Sequence, residues 1–153
     1  QIFADAYTPV VDSSAIPTGE IASVEGTPMD FRTEKQIGQD IRADFEQLHF
    51  TGGYDHNYVL GRPGEKKIMA NAYCRESGIA LEAETDCCGV QFYAGNFIGE
   101  QTGKGGASYH DRSAFCLESQ FYPNAVNEPD FPSPVVKAGD TYHTETSYRF
   151  YLR

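Results

Sequence analysis

The sequence has no tryptophan, no long apolar run and few basic residues for its length of 153. No stretch approaches the roughly 18 consecutive apolar residues of a membrane-spanning helix, so we expect no membrane partner. Lysine and arginine total 12 against 22 acidic residues, which gives a formal net charge of −10. Because nucleic-acid binding needs a basic surface, this balance argues against a nucleic-acid partner.

Metal and cofactor motifs are also missing. The glycine-rich stretch GEQTGKGGAS leaves three residues between Gly99 and Gly103, whereas a phosphate-binding loop needs four. No two histidines have the spacing of a helical zinc motif, and no carboxylate cluster has the spacing of a calcium loop. We therefore expect no cofactor and no metal. The cysteines lack CxxC spacing and predict free, mostly buried thiols: Cys74, Cys87, Cys88 and Cys116. Unpaired cysteines and the lack of a visible leader predict a cytoplasmic protein.

Short strand-like segments separated by turn signals predict an antiparallel all-β fold. Residues 67–94 predict a three-stranded meander, and alternation in the last segment predicts a half-buried strand. Apolar residues at helical spacing in IGQDIRADFEQL predict one short helix near residues 37–48, packed on the sheet. The candidate strands are Tyr58–Leu60, Lys67–Cys74, Ile79–Thr85, Gly89–Ala94, Ser113–Gln120 and Thr141–Leu152.

The opening segment, residues 1–32, is irregular. It holds Pro9, Pro17 and Pro28 with only short strand-like pieces, and the first residue is Gln1 rather than Met. A self-contained β-sandwich would rarely begin in this way. We expect residues 1–153 to form a single domain segment that is part of a longer fold.

One carboxylate interrupts the strand-like run SAFCLESQFYPN. Alternation places Cys116, Glu118 and Gln120 on one face of this strand and apolar residues on the other. A carboxylate within a strand must reach solvent, pair with a charge or line a site. Two further polar features are ambiguous: the triplet that begins at Asp55 is typical of a turn, and Gln91 could bond a neighbouring loop.

In order along the chain, these stretches resemble the aldose 1-epimerases, or galactose mutarotases. The matching segments are IPTGEIASVEGTPMDFR, YDHNYVL, VQFYAGNF, FCLESQFYPNAVNEPDFPS and KAGDTYHTETSYRF. The resemblance covers essentially the whole chain but only the C-terminal half of the family. It implies an antiparallel β-sandwich of the galactose mutarotase-like supersandwich type, incomplete without an N-terminal half.

The resemblance also implies an activity and its residues. Family members interconvert the α and β anomers of hexoses such as galactose and glucose. The family's general base maps onto Glu118, its sugar-binding aspartate onto Asp55 and its substrate-contacting glutamine onto Gln91. The family's general-acid histidine lies in the N-terminal half, and none of the four histidines here is in a matching motif. We therefore expect an N-terminal half or a partner chain to supply the acid.

Two other functions stay open. The missing acid histidine favours a non-catalytic sugar-binding or regulatory module with the same fold. The second alternative is a structural all-β interaction domain, in which the acidic residues are only solvated surface residues. The length of the matching motifs argues against this last alternative.

Overall fold

The computed structural model describes all residues from 1 to 153. It contains one α-helix, one short 3₁₀ turn and ten strands. The helix, α1, comprises Glu46–Thr51. The strands are β1 (Ala6–Tyr7), β2 (Ala22–Ser23), β3 (Asp55–Val59), β4 (Lys67–Tyr73), β5 (Ile79–Thr85), β6 (Gly89–Tyr93), β7 (Gln101–Thr102), β8 (Ser108–Tyr109), β9 (Cys116–Gln120) and β10 (Thr146–Leu152).

The strands form two larger antiparallel sheets and one small hairpin. The first sheet has the order β2-β1-β3-β6-β9, and the second has the order β10-β5-β4. Strands β7 and β8 form the hairpin within the glycine-rich stretch. The predicted antiparallel all-β fold is confirmed. The six longer strands coincide with the six predicted strands, although several ends differ by a few residues.

The predicted meander over residues 67–94 is wrong in its third strand. Strands β4 and β5 pair as expected, but β6 joins the other sheet and pairs with β3 and β9. Cys87 and Cys88 lie in the connection between β5 and β6, and both side chains are buried. The Leu60 N–H donates to the Cys88 carbonyl at 2.8 Å, which extends the pairing with β3. The connection therefore crosses from one sheet to the other.

One α-helix is confirmed, but it begins nine residues later than the predicted start at residue 37. Residues 37–45 instead form successive turns, with i→i+3 hydrogen bonds such as Ala43 N–H to the Asp40 carbonyl at 2.9 Å. Ile41 and Leu48 are both buried as the helical spacing predicted. The apolar spacing correctly identified core residues, because turns can bury the same side chains that a helix would.

The core lies between the sheets and anchors the irregular opening segment. The rings of Phe31, Tyr54 and Phe92 contact one another at centroid separations of 5.0 to 5.4 Å. The Tyr54 hydroxyl donates to the Pro28 carbonyl, and the Tyr58 hydroxyl donates to the Met29 carbonyl, each at 3.0 Å. Segment 1–32 is therefore held on the first sheet by buried aromatic side chains and their hydrogen bonds.

Strand β10 is more exposed than the sequence predicted. Its apolar residues alternate as expected, but Phe150 is 69% exposed and Leu152 is 80% exposed. The prediction of a half-buried strand is wrong, and Phe150 borders an open cleft between the sheets. The cleft has a volume of about 1070 Å³ and is lined in part by Leu81, Phe92 and Leu117. The sandwich is thus open on one side.

Two remaining observations concern membranes and cysteines. No helix has both the length and the apolar character needed to cross a bilayer. All four cysteines are free, which agrees with the sequence, but only Cys87 and Cys88 are buried. The prediction that most of the thiols are buried is therefore wrong for Cys74 and Cys116, which are exposed because they lie at the end of β4 and on edge strand β9.

Candidate active site

The three predicted site residues lie on one face of the first sheet. Strand β6 sits between β3 and β9, so each of its residues has a partner on both sides. Gln91 lies directly opposite Asn57 on one side and Glu118 on the other. Asp55 is two residues before Asn57 and therefore points to the same face. Strand register brings together Asp55, Gln91 and Glu118, which are far apart in the sequence.

Hydrogen bonds connect the polar side chains across the strands. Gln91 Nε2 donates to Asp55 Oδ1 at 2.8 Å. Gln120 Nε2 donates to Gln91 Oε1 at 3.2 Å and to Asn57 Oδ1 at 3.4 Å. The result is a continuous polar network that begins at the Asp55 carboxylate and crosses β6 to β9.

Glu118 is exposed and lies on an edge strand, so its carboxylate can meet a ligand. Two nearby groups are affected by it. Partial burial, and next the charge of Glu118, raise the pKa of the Cys116 thiol. The same two causes raise the pKa of the Tyr148 phenol, which donates a hydrogen bond to the Leu117 carbonyl at 2.7 Å. Both neighbours are therefore uncharged near neutral pH.

None of the four histidines lies on this polar face. His56 follows Asp55 in β3 and consequently points to the opposite, buried face, where its ring contacts that of Tyr7 at 5.9 Å. Burial lowers the pKa of His56 to about 4, so its imidazole is neutral. His49 lies in α1, and His110 and His143 lie in connections outside the three strands. The site therefore holds an acceptor carboxylate without an adjacent histidine acid.

The available chemistry suits a neutral, polyhydroxylated ligand. Carboxylates accept hydrogen bonds from hydroxyl groups, and the amide of a glutamine can both donate and accept. No cluster of three or more His, Cys, Asp or Glu side chains with the arrangement of a metal site occurs in the structure. The polar face can bind hydroxyl groups and, through Glu118, accept a proton.

The structure resolves two polar features that the sequence pattern alone leaves ambiguous. The alternative in which the triplet containing Asn57 forms a turn before a strand is wrong, because the triplet forms the first three residues of β3. Gln91 bonds Asp55 and Gln120 rather than a loop. Alternation had placed Gln120 beside Glu118, but its contacts with Asn57 and Gln91 depend on register, which the sequence does not show.

Comparison with known protein families identifies the chain. The sequence model of the family described as aldose 1-epimerase matches residues 1–149. The chain belongs to the aldose 1-epimerase family.

Curated relatives of this aldose 1-epimerase family member match it over nearly its whole length. A galactose mutarotase from Bos taurus is 45% identical over 150 residues, covering 97% of the chain and 42% of the relative. An aldose 1-epimerase from Escherichia coli K12 is 37% identical over 153 residues, covering 98% of the chain and 44% of the relative. The chain therefore spans less than half the length of these relatives.

The fold of the family is confirmed by a solved structure. A GalM/aldose epimerase homologue from C. elegans superimposes with a TM-score of 0.80 at 28% identity. The match covers 99% of this chain and 45% of that structure. The two-sheet arrangement is thus shared with that aldose epimerase homologue. The strands that carry the polar face are part of this shared fold.

Proposed function

We propose that this chain carries the base side of an aldose 1-epimerase site acting on hexoses such as galactose and glucose. The observation that carries the proposal is the strand register, which brings Asp55, Gln91 and Glu118 onto one polar face, with Glu118 exposed at its edge. These are the three residues onto which the family's sugar-binding and basic groups map. Asp55 and Gln91 would hold ring hydroxyls, and Glu118 would act on the anomeric hydroxyl.

The chemistry of the proposed reaction needs one base and one acid. The Glu118 carboxylate takes the proton from the C1 hydroxyl while an acid protonates the ring oxygen, and the C1–O5 bond breaks. The resulting aldehyde rotates about the C1–C2 bond. In the reverse transfers, the C5 hydroxyl closes on the other face of C1, and both protons return. Atoms and electrons balance without a cofactor, and the product is the opposite anomer.

The acid is proposed to come from outside this chain, from an N-terminal half or a partner chain that carries a histidine. Two observations support this assignment. The polar face contains no histidine, and the curated relatives are more than twice as long as the region they share with the chain. The open apolar cleft beside Phe150 gives such a partner a surface to cover.

Optical rotation tests the proposal. The rate at which fresh α-D-galactose mutarotates is measured with the chain alone and with the chain co-expressed with the N-terminal half of a relative. In the complemented protein, Glu118→Gln should slow the catalysed rate by about 10²- to 10⁴-fold, the contribution of general acid–base catalysis. Glu20→Gln is the matched control, because Glu20 is an exposed carboxylate outside the site. Full activity of Glu118→Gln would show that Glu118 is not the base.

The alternative is a non-catalytic sugar-binding or regulatory module. The specific observation that favours it is the absence of a histidine on the polar face, since a base without an acid is a poor catalyst. Saturable galactose binding without any rate increase in the complemented protein would support this alternative. Catalysis above the spontaneous rate would exclude it.

A further inference from the structure

Three amide side chains form a connected group next to the two carboxylates of the candidate site. Asn57 is on β3, Gln91 is on β6 and Gln120 is on β9. Gln120 Nε2 lies 3.2 Å from Gln91 Oε1 and 3.4 Å from Asn57 Oδ1. A single NH₂ group thus donates to two carbonyl oxygens on different strands. Gln120 is the link between them.

The contacts of Gln91 allow only one orientation of its amide. In the observed orientation, Nε2 donates to Asp55 at 2.8 Å while Oε1 accepts from Gln120. A rotation of the amide by 180° would place Oε1 against the Asp55 carboxylate and Nε2 against the NH₂ group of Gln120. Both new contacts would be repulsive, because they would pair two acceptors and two donors. Asp55 and Gln120 therefore determine together which way Gln91 points.

The orientation of Gln120 is itself fixed by Asn57. Asn57 is only 1% exposed, so neighbouring atoms surround its amide on all sides. Gly89, which lies opposite Gln120, provides the space for this arrangement. A Cβ at position 89 would lie 2.3 Å from Asn57 Oδ1 and 3.0 Å from the Tyr122 ring. The glycine is thus required by close packing around the acceptor that Gln120 uses.

We infer that Gln120 is a positioning residue that acts through Gln91. By holding Oε1 of Gln91, it directs Nε2 towards Asp55 and leaves the second N–H of Gln91 for a ligand. Asp55 keeps one oxygen, Oδ2, that no side chain of the protein engages. An acceptor oxygen and a donor N–H side by side match two adjacent hydroxyl groups of one sugar ring. That this donor and acceptor receive sugar hydroxyls rests on the proposed function, whereas the positioning of Gln91 by Gln120 rests on the hydrogen bonds.

Side-chain ¹⁵N NMR of the chain tests the orientation without relying on activity. In Gln120→Leu, the Gln91 NH₂ resonances should shift and the difference between its two protons should shrink, because one partner of the amide is lost. Gln101→Leu is the matched control, since Gln101 is an exposed glutamine in the small hairpin. Gly89→Ala should shift the same Gln91 resonances by displacing Asn57. Unchanged Gln91 resonances in both Gln120→Leu and Gly89→Ala would overturn the inference.

Galactose titration distinguishes a positioning role from a merely structural one. Gln120→Leu should weaken galactose binding about fivefold, the equivalent of one net hydrogen bond. In a Gln91→Ala background, the same substitution should have no further effect, because its effect passes through Gln91. Independent, multiplicative losses would contradict the inference. If the protein complemented with the N-terminal half of a relative binds no galactose while the NMR shifts occur, the proposed function fails and the positioning role stands.

Discussion

Two phenylalanines that line the same cleft are expected to respond very differently to truncation. Phe92 is 3% exposed and its ring contacts those of Phe31 and Tyr54, each at a centroid distance of 5.4 Å. Phe150 borders the cleft from the second sheet but is 69% exposed. Replacing each by alanine compares a ring packed in the core with a ring at the border of the open cleft.

The magnitudes follow from the buried area. Phe92→Ala removes a fully buried ring, and such substitutions typically cost about 3 to 5 kcal/mol in the free energy of unfolding. About a third of the Phe150 surface is buried. For a side chain of roughly 200 Å² and about 25 cal/mol per Å², this area contributes at most about 1.5 kcal/mol. Phe150→Ala should therefore cost at most about half as much as Phe92→Ala.

Urea unfolding monitored by far-UV circular dichroism measures both free energies, and this probe suits a chain without tryptophan. A protein so destabilised by Phe92→Ala that it is unfolded without urea agrees with the expected order. Equal losses in the free energy of unfolding for the two variants would contradict the interpretation that the cleft beside Phe150 is open. Adding the N-terminal half should bury Phe150, so that the cost of Phe150→Ala rises towards that of Phe92→Ala. An unchanged cost would show that this half does not cover the cleft.

Two further predictions concern buried polar groups. Burial lowers the pKa of His56 to about 4, whereas an unfolded histidine titrates near 6.5. The unfolded state therefore binds more protons between these values, and stability should fall by up to about 3 kcal/mol as the pH drops from about 6.5 to 4. His56→Phe should reduce this slope in thermal unfolding series, and an unchanged slope would contradict the assignment. Gln47 bonds both the N–H and the carbonyl of Val10, at 2.7 and 3.0 Å. Gln47→Leu leaves both Val10 groups buried and unpaired, which should lower the free energy of unfolding in urea by about 2 to 4 kcal/mol. Gln39→Leu is the control, because Gln39 is exposed. Equal stability of the two variants would refute the role of Gln47.

The fold class was accessible from the sequence because alternation and turn signals are local properties of the chain. Strand β5 was predicted with its observed bounds, Ile79–Thr85. The sheet to which β6 belongs was not accessible, since its pairing with β3 joins residues 30 to 38 positions apart. The displaced helix has a related cause: the burial of Ile41 and Leu48 produces the same spacing whether turns or a helix connect them.

The candidate site was predictable as a set of residues but not as a geometry. The resemblance identified Asp55, Gln91 and Glu118 individually, and alternation placed Gln120 on the face of Glu118. The contact between Gln120 and Asn57 requires the registers of β3 with β6 and of β6 with β9 together. A shift of one residue in either register would turn these side chains to opposite faces. The network is thus a property of three strands rather than of any one motif.

Alternation along β3 also decides whether this chain could use its own histidine as the acid. His56 is adjacent to Asp55 in sequence, and a slip of β3 by one residue would bring it to the polar face. The same slip would turn Asp55 and Asn57 towards the core and expose Tyr58, which is fully buried. It would also break the bond between Gln91 and Asp55. The register that holds Asp55 on the polar face is therefore the register that keeps His56 off it, and within strands β3, β6 and β9 Glu118 has no histidine on its own face.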